Sequence, residues 1–227
     1  MGMSKISIIF QILTKSIFKP KLIKDVFEER KQNQEDENHK NYKYEYDFDS
    51  IEEFFKKIFP KENLNQTELE KLKVHVELNL KKLKKLKYPS KNKPYPTDYS
   101  INSDSRKFLY HLCRILKPKN VIETGVAYGI SSSYILQALE DNKFGKLYSI
   151  DSIFRPWQTK EMIGSIIPKK LRNRWELVIG KSTEKLENIL TEINNLDIFI
   201  HDSSHTYENM MFEFNIIIKN IKKEGII

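Results

Sequence analysis

Fourteen consecutive residues, Asn120-Val-Ile-Glu-Thr-Gly-Val-Ala-Tyr-Gly-Ile-Ser-Ser-Ser133, constrain this chain more than any other feature. They read as a buried strand, a small-residue turn and the start of a helix. Val121 and Ile122 are β-branched and meet no charge before Glu123, which fits a parallel strand covered on both faces. Gly125, Ala127 and Gly129 then alternate with larger residues, so backbone can approach a ligand closely. Ser131 or Ser132 can cap the helix that follows. Glu123, beside that turn, suits a ligand carrying hydroxyl or ammonium donors and repels a bare pyrophosphate. The spacing is Glu-x-Gly-x-Ala-x-Gly, not the Gly-x-Gly-x-x-Gly of dinucleotide folds, and no Gly-Lys-Ser/Thr follows as in a P-loop.

Two later blocks extend the pattern. Lys146-Leu-Tyr-Ser-Ile-Asp151 is a short apolar strand ending in an acid. In doubly wound sheets such a carboxylate faces the ligand crevice and can hold ribose hydroxyls; capping of the next turn is the alternative use of Asp151. In Leu196-Asp-Ile-Phe-Ile-His-Asp-Ser-Ser-His-Thr-Tyr-Glu208, Ile198, Phe199 and Ile200 form another buried strand, with His201, Asp202 and His205 just past its tip.

Around these blocks strand and helix alternate. The pattern gives helix over 103–116, stopped by Pro118, strand 121–124, helix 131–139 and strand 147–150. Helix follows over 156–171 with a break near 164–168, then strand 175–179, helix 183–193, strand 198–200 and helix 207–221. Gly225 reads as a helix stop, with a fifth strand beginning at Ile226. The fold class is α/β, a doubly wound, mostly parallel sheet with helices on both faces.

The three blocks, in this order, resemble class I S-adenosylmethionine (SAM)-dependent methyltransferases. The Asp-x-x-His-x-Tyr at 202–207, followed by Asn209-Met-Met-Phe-Glu-Phe214, is similar to their small-molecule and sugar O-methyltransferase branch. The resemblance covers about residues 95–227 and implies SAM lying across the strand tips. Glu123 and the turn at Gly125, Ala127 and Gly129 would then hold the methionine end, and Asp151 the ribose. Ile153, Gly180 and Ser182 would border adenine, while Tyr128 and Ser132 would line the pocket. Asp202 and His205 would be the base and its neighbour. Related enzymes bind a divalent metal such as magnesium at the position of Asp202, with partner acids after the fifth strand. The family's sheet carries further strands there, so the resemblance implies a domain incomplete at its C-terminal end, and a metal without support from this sequence. It also implies a small-molecule or glycan acceptor. The alternatives are a nucleic-acid methyltransferase, disfavoured because no Asn/Asp-Pro-Pro-Tyr/Phe stands at 201–205, and a truncated, non-catalytic interaction protein. A hydrolase lacks its Gly-x-Ser-x-Gly elbow.

Upstream, 1–30 reads as amphipathic helices, 31–48 as a polar linker and 49–94 as a helical arm. The arm holds a short helix over 49–59 ended by Pro60, then a capping box at Thr67 and Glu70. Leu69, Leu72, Val76, Leu80, Leu83 and Leu86 mark one face of the helix that follows. The 227 residues allow one sizeable domain plus an appendage. The single cysteine, Cys113, excludes a disulfide framework, reads as core packing and fits a reducing, cytoplasmic setting. A net charge of +8 invites nucleic acid, but lysines are spread throughout, and the run at 80–87 is a solvated helix face. Residues 6–18 are apolar but interrupted by Gln11, Thr14 and Lys15, too short and broken to span a bilayer. With Lys15, Lys19, Lys21 and Lys24 nearby they suit an anionic membrane surface, docking on the protein's own body, or a homo-oligomer contact.

Overall fold

The computed structural model describes residues 5–17, 21–38, 50–60, 67–97, 100–193 and 195–227. In chain order these form α1 (Lys5–Ser16), α2 (Lys21–Asn38), α3 (Ile51–Ile58), α4 (Thr67–Lys84), α5 (Ser103–Leu116), β1 (Asn120–Thr124) and α6 (Ile130–Asn142). Then come β2 (Lys146–Asp151), β3 (Trp175–Ile179), α7 (Ser182–Glu192), β4 (Leu196–His201), α8 (Tyr207–Asn220) and β5 (Ile221–Ile226).

The sheet runs β3-β2-β1-β4-β5, and every pairing is parallel. All five residues of β1 are buried, because the strand has a neighbour on each edge and helices over each face. Alternation sends Val121 and Ile122 to opposite faces. Val121, Leu147 and Ile198 join one core with residues of α4, α5 and α6, including Leu72, Val76, Cys113 and Ile135. Ile122, Ile150 and Phe199 join a second core with Leu186, Ile189 and Leu190 of α7 and Ile217 of α8. Phe55 of α3 belongs to the first core, so α3 and α4 pack on the body of the sheet.

Five local features differ from the sequence reading. Residues 31–38 continue α2 rather than forming a linker, while 39–49 lie outside the described residues. Residues 156–171 hold no α-helix. Gly164, at φ +66, and Pro168 break the run into 3-10 turns at Lys160–Met162 and Lys169–Arg174. Helix α6 is entered through Gly129 at φ 78 with no side-chain cap, because the Ser131 and Ser132 hydroxyls donate to Glu123 instead. Gly225 sits inside β5, which starts at Ile221 because that residue pairs with Leu196 and packs on the second core. Helix α4 starts at Thr67, so its capping position falls among 61–66, outside the described residues. A capping box does close α3, where Ser50 Oγ accepts from Glu53 N at 3.2 Å and Glu53 Oε2 accepts from Ser50 N at 3.1 Å.

Helices α1 and α2 are tied to the sheet domain by polar contacts. Lys15 Nζ donates to the Pro156 carbonyl at 2.6 Å, Lys21 pairs with Glu184 at 2.7 Å, and Lys181 pairs with Asp25 at 2.5 Å.

Glu123 is fully buried at the end of β1. Its carboxyl accepts from Ser131 Oγ, from Ser132 Oγ at 2.6 Å and from Ser149 Oγ at 3.1 Å. Burial pushes its pKa from the ordinary 4.5 up to about 7, against the opposing pull of the serine hydroxyls. Between those values the folded chain holds a proton that the unfolded chain has released, so this group's contribution falls as pH rises through the window. Glu123→Gln removes the titration. Between about pH 5 and about pH 8 the wild type should lose on the order of 3 kcal/mol relative to the variant in urea unfolding. Parallel pH profiles would contradict the burial argument. Gly125→Ala meets a different limit. Gly125 sits at φ +85, and a Cβ there would stand 2.0 Å from the Asp202 carbonyl oxygen. The substitution should cost about 3 kcal/mol, and an unchanged unfolding midpoint would contradict so close an approach.

Candidate functional site

Four strand tips are fastened together by backbone hydrogen bonds. Gly125 N donates to Ile150 O at 2.8 Å, Asp202 N to Thr124 O at 2.8 Å, and Gly180 N to Asp151 O at 2.9 Å. β1 has β2 on one side and β4 on the other, so the chain leaves the sheet in opposite directions from adjacent tips and a crevice opens between them. It holds a cavity of about 700 Å³, large enough for a nucleoside-sized ligand. The β1 turn (Gly125 to Ala127), Asp151 and Ser152, 180–183 and residues of 202–212 line it.

Asp151 grips the β1 turn. Its Oδ2 accepts from Val126 N at 3.1 Å and Ala127 N at 2.8 Å, and its Oδ1 from Ser152 N at 2.6 Å. Desolvation raises its pKa against the pull of those amides. The amides use one lone pair of Oδ1, and a carboxylate oxygen has two, so Asp151 keeps acceptor capacity toward the cavity it lines. Gly125, Ala127, Gly180 and Ser182 also line it.

The remaining sequence candidates lie elsewhere. Glu123 and Ser132 are spent on each other beneath α6 and do not border the cavity. Gly129 gives room to another segment: a Cβ there would stand 2.7 Å from Ile167 Cγ1 and 2.8 Å from Gly164 Cα. Tyr128 is buried and supports rather than lines, its hydroxyl donating to Tyr95 O at 2.8 Å. Ile153 is not among the lining residues.

Past β4 the histidines separate. His205 and Asp202 are exposed at the cavity, with His205 Nε2 3.5 Å from Asp202 Oδ1. His201 turns inward, its Nδ1 2.7 Å from Glu213 Oε2, and its ring meets His205 edge-on at 5.1 Å. Glu213, fully buried, also accepts from Thr124 Oγ1 at 2.9 Å, Ser203 Oγ at 2.9 Å and Asn209 Nδ2 at 3.1 Å. Burial alone would raise its pKa, but hydrogen bonds from His201 and Ser182 and the charge of His201 bring it below the ordinary value. Thr124, Ser203 and Asn209 all line the cavity, so Glu213 fixes that wall from behind. The sequence carried a signal for it, a lone acid among the apolar residues 210–217, four positions after Asn209.

Three further residues escaped the sequence reading. Asp25 and Glu28 of α2 enter the cavity wall, held by Lys181 at 2.5 and 3.6 Å. Tyr95 lines it from the segment before α5; burial and the charge of Asp151 push its phenol well above the ordinary range. The charge of the lining is one-sided. Asp25, Glu28, Asp151, Asp202 and Glu208 face Lys181 and His205. Such a wall suits a cationic or hydroxylated ligand and repels a polyphosphate. These acceptors fit SAM, whose sulfonium and ammonium are positive and whose ribose offers hydroxyls. A metal centre finds less: among the described residues no group of three or more His, Cys, Asp or Glu is placed to hold an ion.

Residues 122–227 match a family described as a methyltransferase domain. No curated protein matches the chain. Among solved structures, the chain is similar to the S-adenosylhomocysteine-bound methyltransferase PaMTH1 of Podospora anserina, at 14% identity and a TM-score of 0.50, over 82% of this chain and 72% of that one. It is also similar to an O-methyltransferase from Bacillus cereus in complex with S-adenosylhomocysteine, at 19% identity and 0.47, over 76% and 68%. The O-methyltransferase TomG of Streptomyces achromogenes in complex with SAM gives 19% and 0.47, over 77% and 68%. The likeness to PaMTH1 speaks for the fold, and the family match for the kind of domain over residues 122–227. Residues 122–227, just under half of the chain, are therefore read as a methyltransferase domain.

Proposed function

We propose that this chain methylates a hydroxyl of a small-molecule or glycan-linked acceptor, with 95–227 as the catalytic unit and the cytoplasm as its setting. The observation that carries the reading is the acid-rich cavity at the β1, β2 and β4 tips, in a chain whose net charge is +8. Bound SAM supplies an electrophilic methyl group on a sulfonium. The protein's task is then to align the acceptor oxygen and take its proton.

Asp151 holds the ribose hydroxyls while its amide contacts keep the Gly125 to Ala127 turn against the methionine end. Gly180 and Ser182, which line the same cavity, would border the adenine. As the O–C bond forms and the C–S bond breaks with its electron pair going to sulfur, Asp202, with His205 beside it, would accept the acceptor's hydroxyl proton. The backbone bond from Asp202 N to Thr124 O fixes this base against the cofactor turn, so the two halves of the reaction are positioned by one contact. Glu123 acts indirectly, by holding the start of α6. The same acidic wall works against a nucleic-acid acceptor, whose phosphates it would repel.

Calorimetric titration of SAM, S-adenosylhomocysteine and NAD into the 227-residue chain tests the assignment. The wild type should bind the first two and not NAD. Asp151→Ala should weaken SAM binding by about 100-fold or more, because ribose and turn contacts go together. Asp202→Ala should bind SAM within about threefold of wild type and lower turnover about 100-fold. Normal SAM affinity in the Asp151 variant would remove the assigned pocket. Full turnover in the Asp202 variant would move the base elsewhere.

A further inference from the structure

Helix α1 presents one face to the protein and the opposite face to solvent. Lys15 reaches inward to the Pro156 carbonyl. Ile6, Ile9, Phe10, Leu13 and Ile17 recur at three- and four-residue spacing, which on an α-helix gathers them into an arc of about 100°. All five are exposed, from 53% for Leu13 to 80% for Ile6, and Phe27 of α2 adds another exposed ring at 67%. An apolar stripe of this kind on a soluble surface marks a place where something else sits.

The charge of the segment indicates what. The first 24 residues contain five lysines, Lys5, Lys15, Lys19, Lys21 and Lys24, and no Asp or Glu. We propose that α1 is a docking face for an anionic lipid bilayer, lying in the interface with its apolar stripe among the acyl chains while the net positive charge of residues 1–24 draws it toward the headgroups. A bilayer complements both features at once. A second copy of the chain would match the stripe but bring two lysine-rich segments together. Among the described residues nothing of the protein's own body covers the stripe, because the polar anchors, Lys15 to Pro156, Lys21 to Glu184 and Lys181 to Asp25, hold the helix pair with the stripe turned outward. The helix has 12 residues, about 18 Å, short of a membrane's thickness. No helix among the described residues is long and apolar enough to cross one. Docking does not rest on the methyltransferase reading. It does involve the cavity, because the same helix pair supplies Asp25 and Glu28 to the wall.

Co-sedimentation of the full chain with vesicles tests this. Vesicles containing about a quarter phosphatidylglycerol should retain at least tenfold more protein than phosphatidylcholine vesicles, and half-molar salt should reverse most of that gain. The double variant Phe10→Glu/Leu13→Glu, altered only on the exposed face, should lose vesicle binding while keeping its circular dichroism and its SAM titration. In the variant Phe10→Trp, tryptophan emission should shift to the blue on adding anionic vesicles. The proposal is overturned if the wild type stays in the supernatant with anionic vesicles, or if the double variant binds as the wild type does. A wild-type dimer that the double variant dissolves, with no vesicle binding by either, would assign the stripe to a second copy instead.

Discussion

Gly125 comes so close to the backbone of Asp202 that no side chain can stand between them. That approach holds the site together. β1 and β4 are neighbours in the sheet, but their following segments must part for a crevice to form. The turn after β1 therefore has to bend away within one residue of the strand, at a positive φ that glycine adopts without strain. Once it does, Asp151 from the third tip can accept the Val126 and Ala127 amides, and the cavity acquires a fixed floor.

Two buried carboxyls support this floor by contrasting means. Glu123 is surrounded by hydroxyls and no cation, so burial dominates and its acidity is weakened. Glu213, equally buried, has His201 beside it as well as Thr124, Ser203 and Asn209, and its acidity is strengthened. The first braces the entry to α6 from within the core. The second braces the wall that carries Asp202 and His205. Both are satisfied groups, which is why the low dielectric around them strengthens their contacts rather than penalising the fold.

Much of this was legible in the residues. Each of the first four strands and the helices between β1 and β2 and after β3 and β4 could be placed from apolar runs and their stops, because a fully buried parallel strand has no polar face to blur it. The segment 156–171 was misread, since its isoleucines and leucine have helical spacing while Gly164 and Pro168 forbid a continuous helix. That Asp151, Asp202, His205, Gly125 and Ala127 border the cavity was readable because they stand at strand ends. That Glu123, Gly129 and Ser132 stand away from the cavity was not readable, because a strand pattern says a residue is near a tip and not which way its side chain turns. Asp25 and Glu28 had no signal at all. Their place in the wall depends on Lys181, which lies 156 positions from Asp25 along the chain.

That separation has a consequence for how the protein comes into being. Ribosomes deliver Lys15 well before Pro156, its anchor 141 residues later, and Asp25 well before Lys181. β1 can pair with β2 soon after it emerges, but its other edge stays open until β4 has been made. The nascent chain therefore carries an amphipathic helix without its anchors and a central strand with one bare edge through much of synthesis. A segment made long before its anchors is fastened late, so its protection during translation falls to whatever it meets outside the fold.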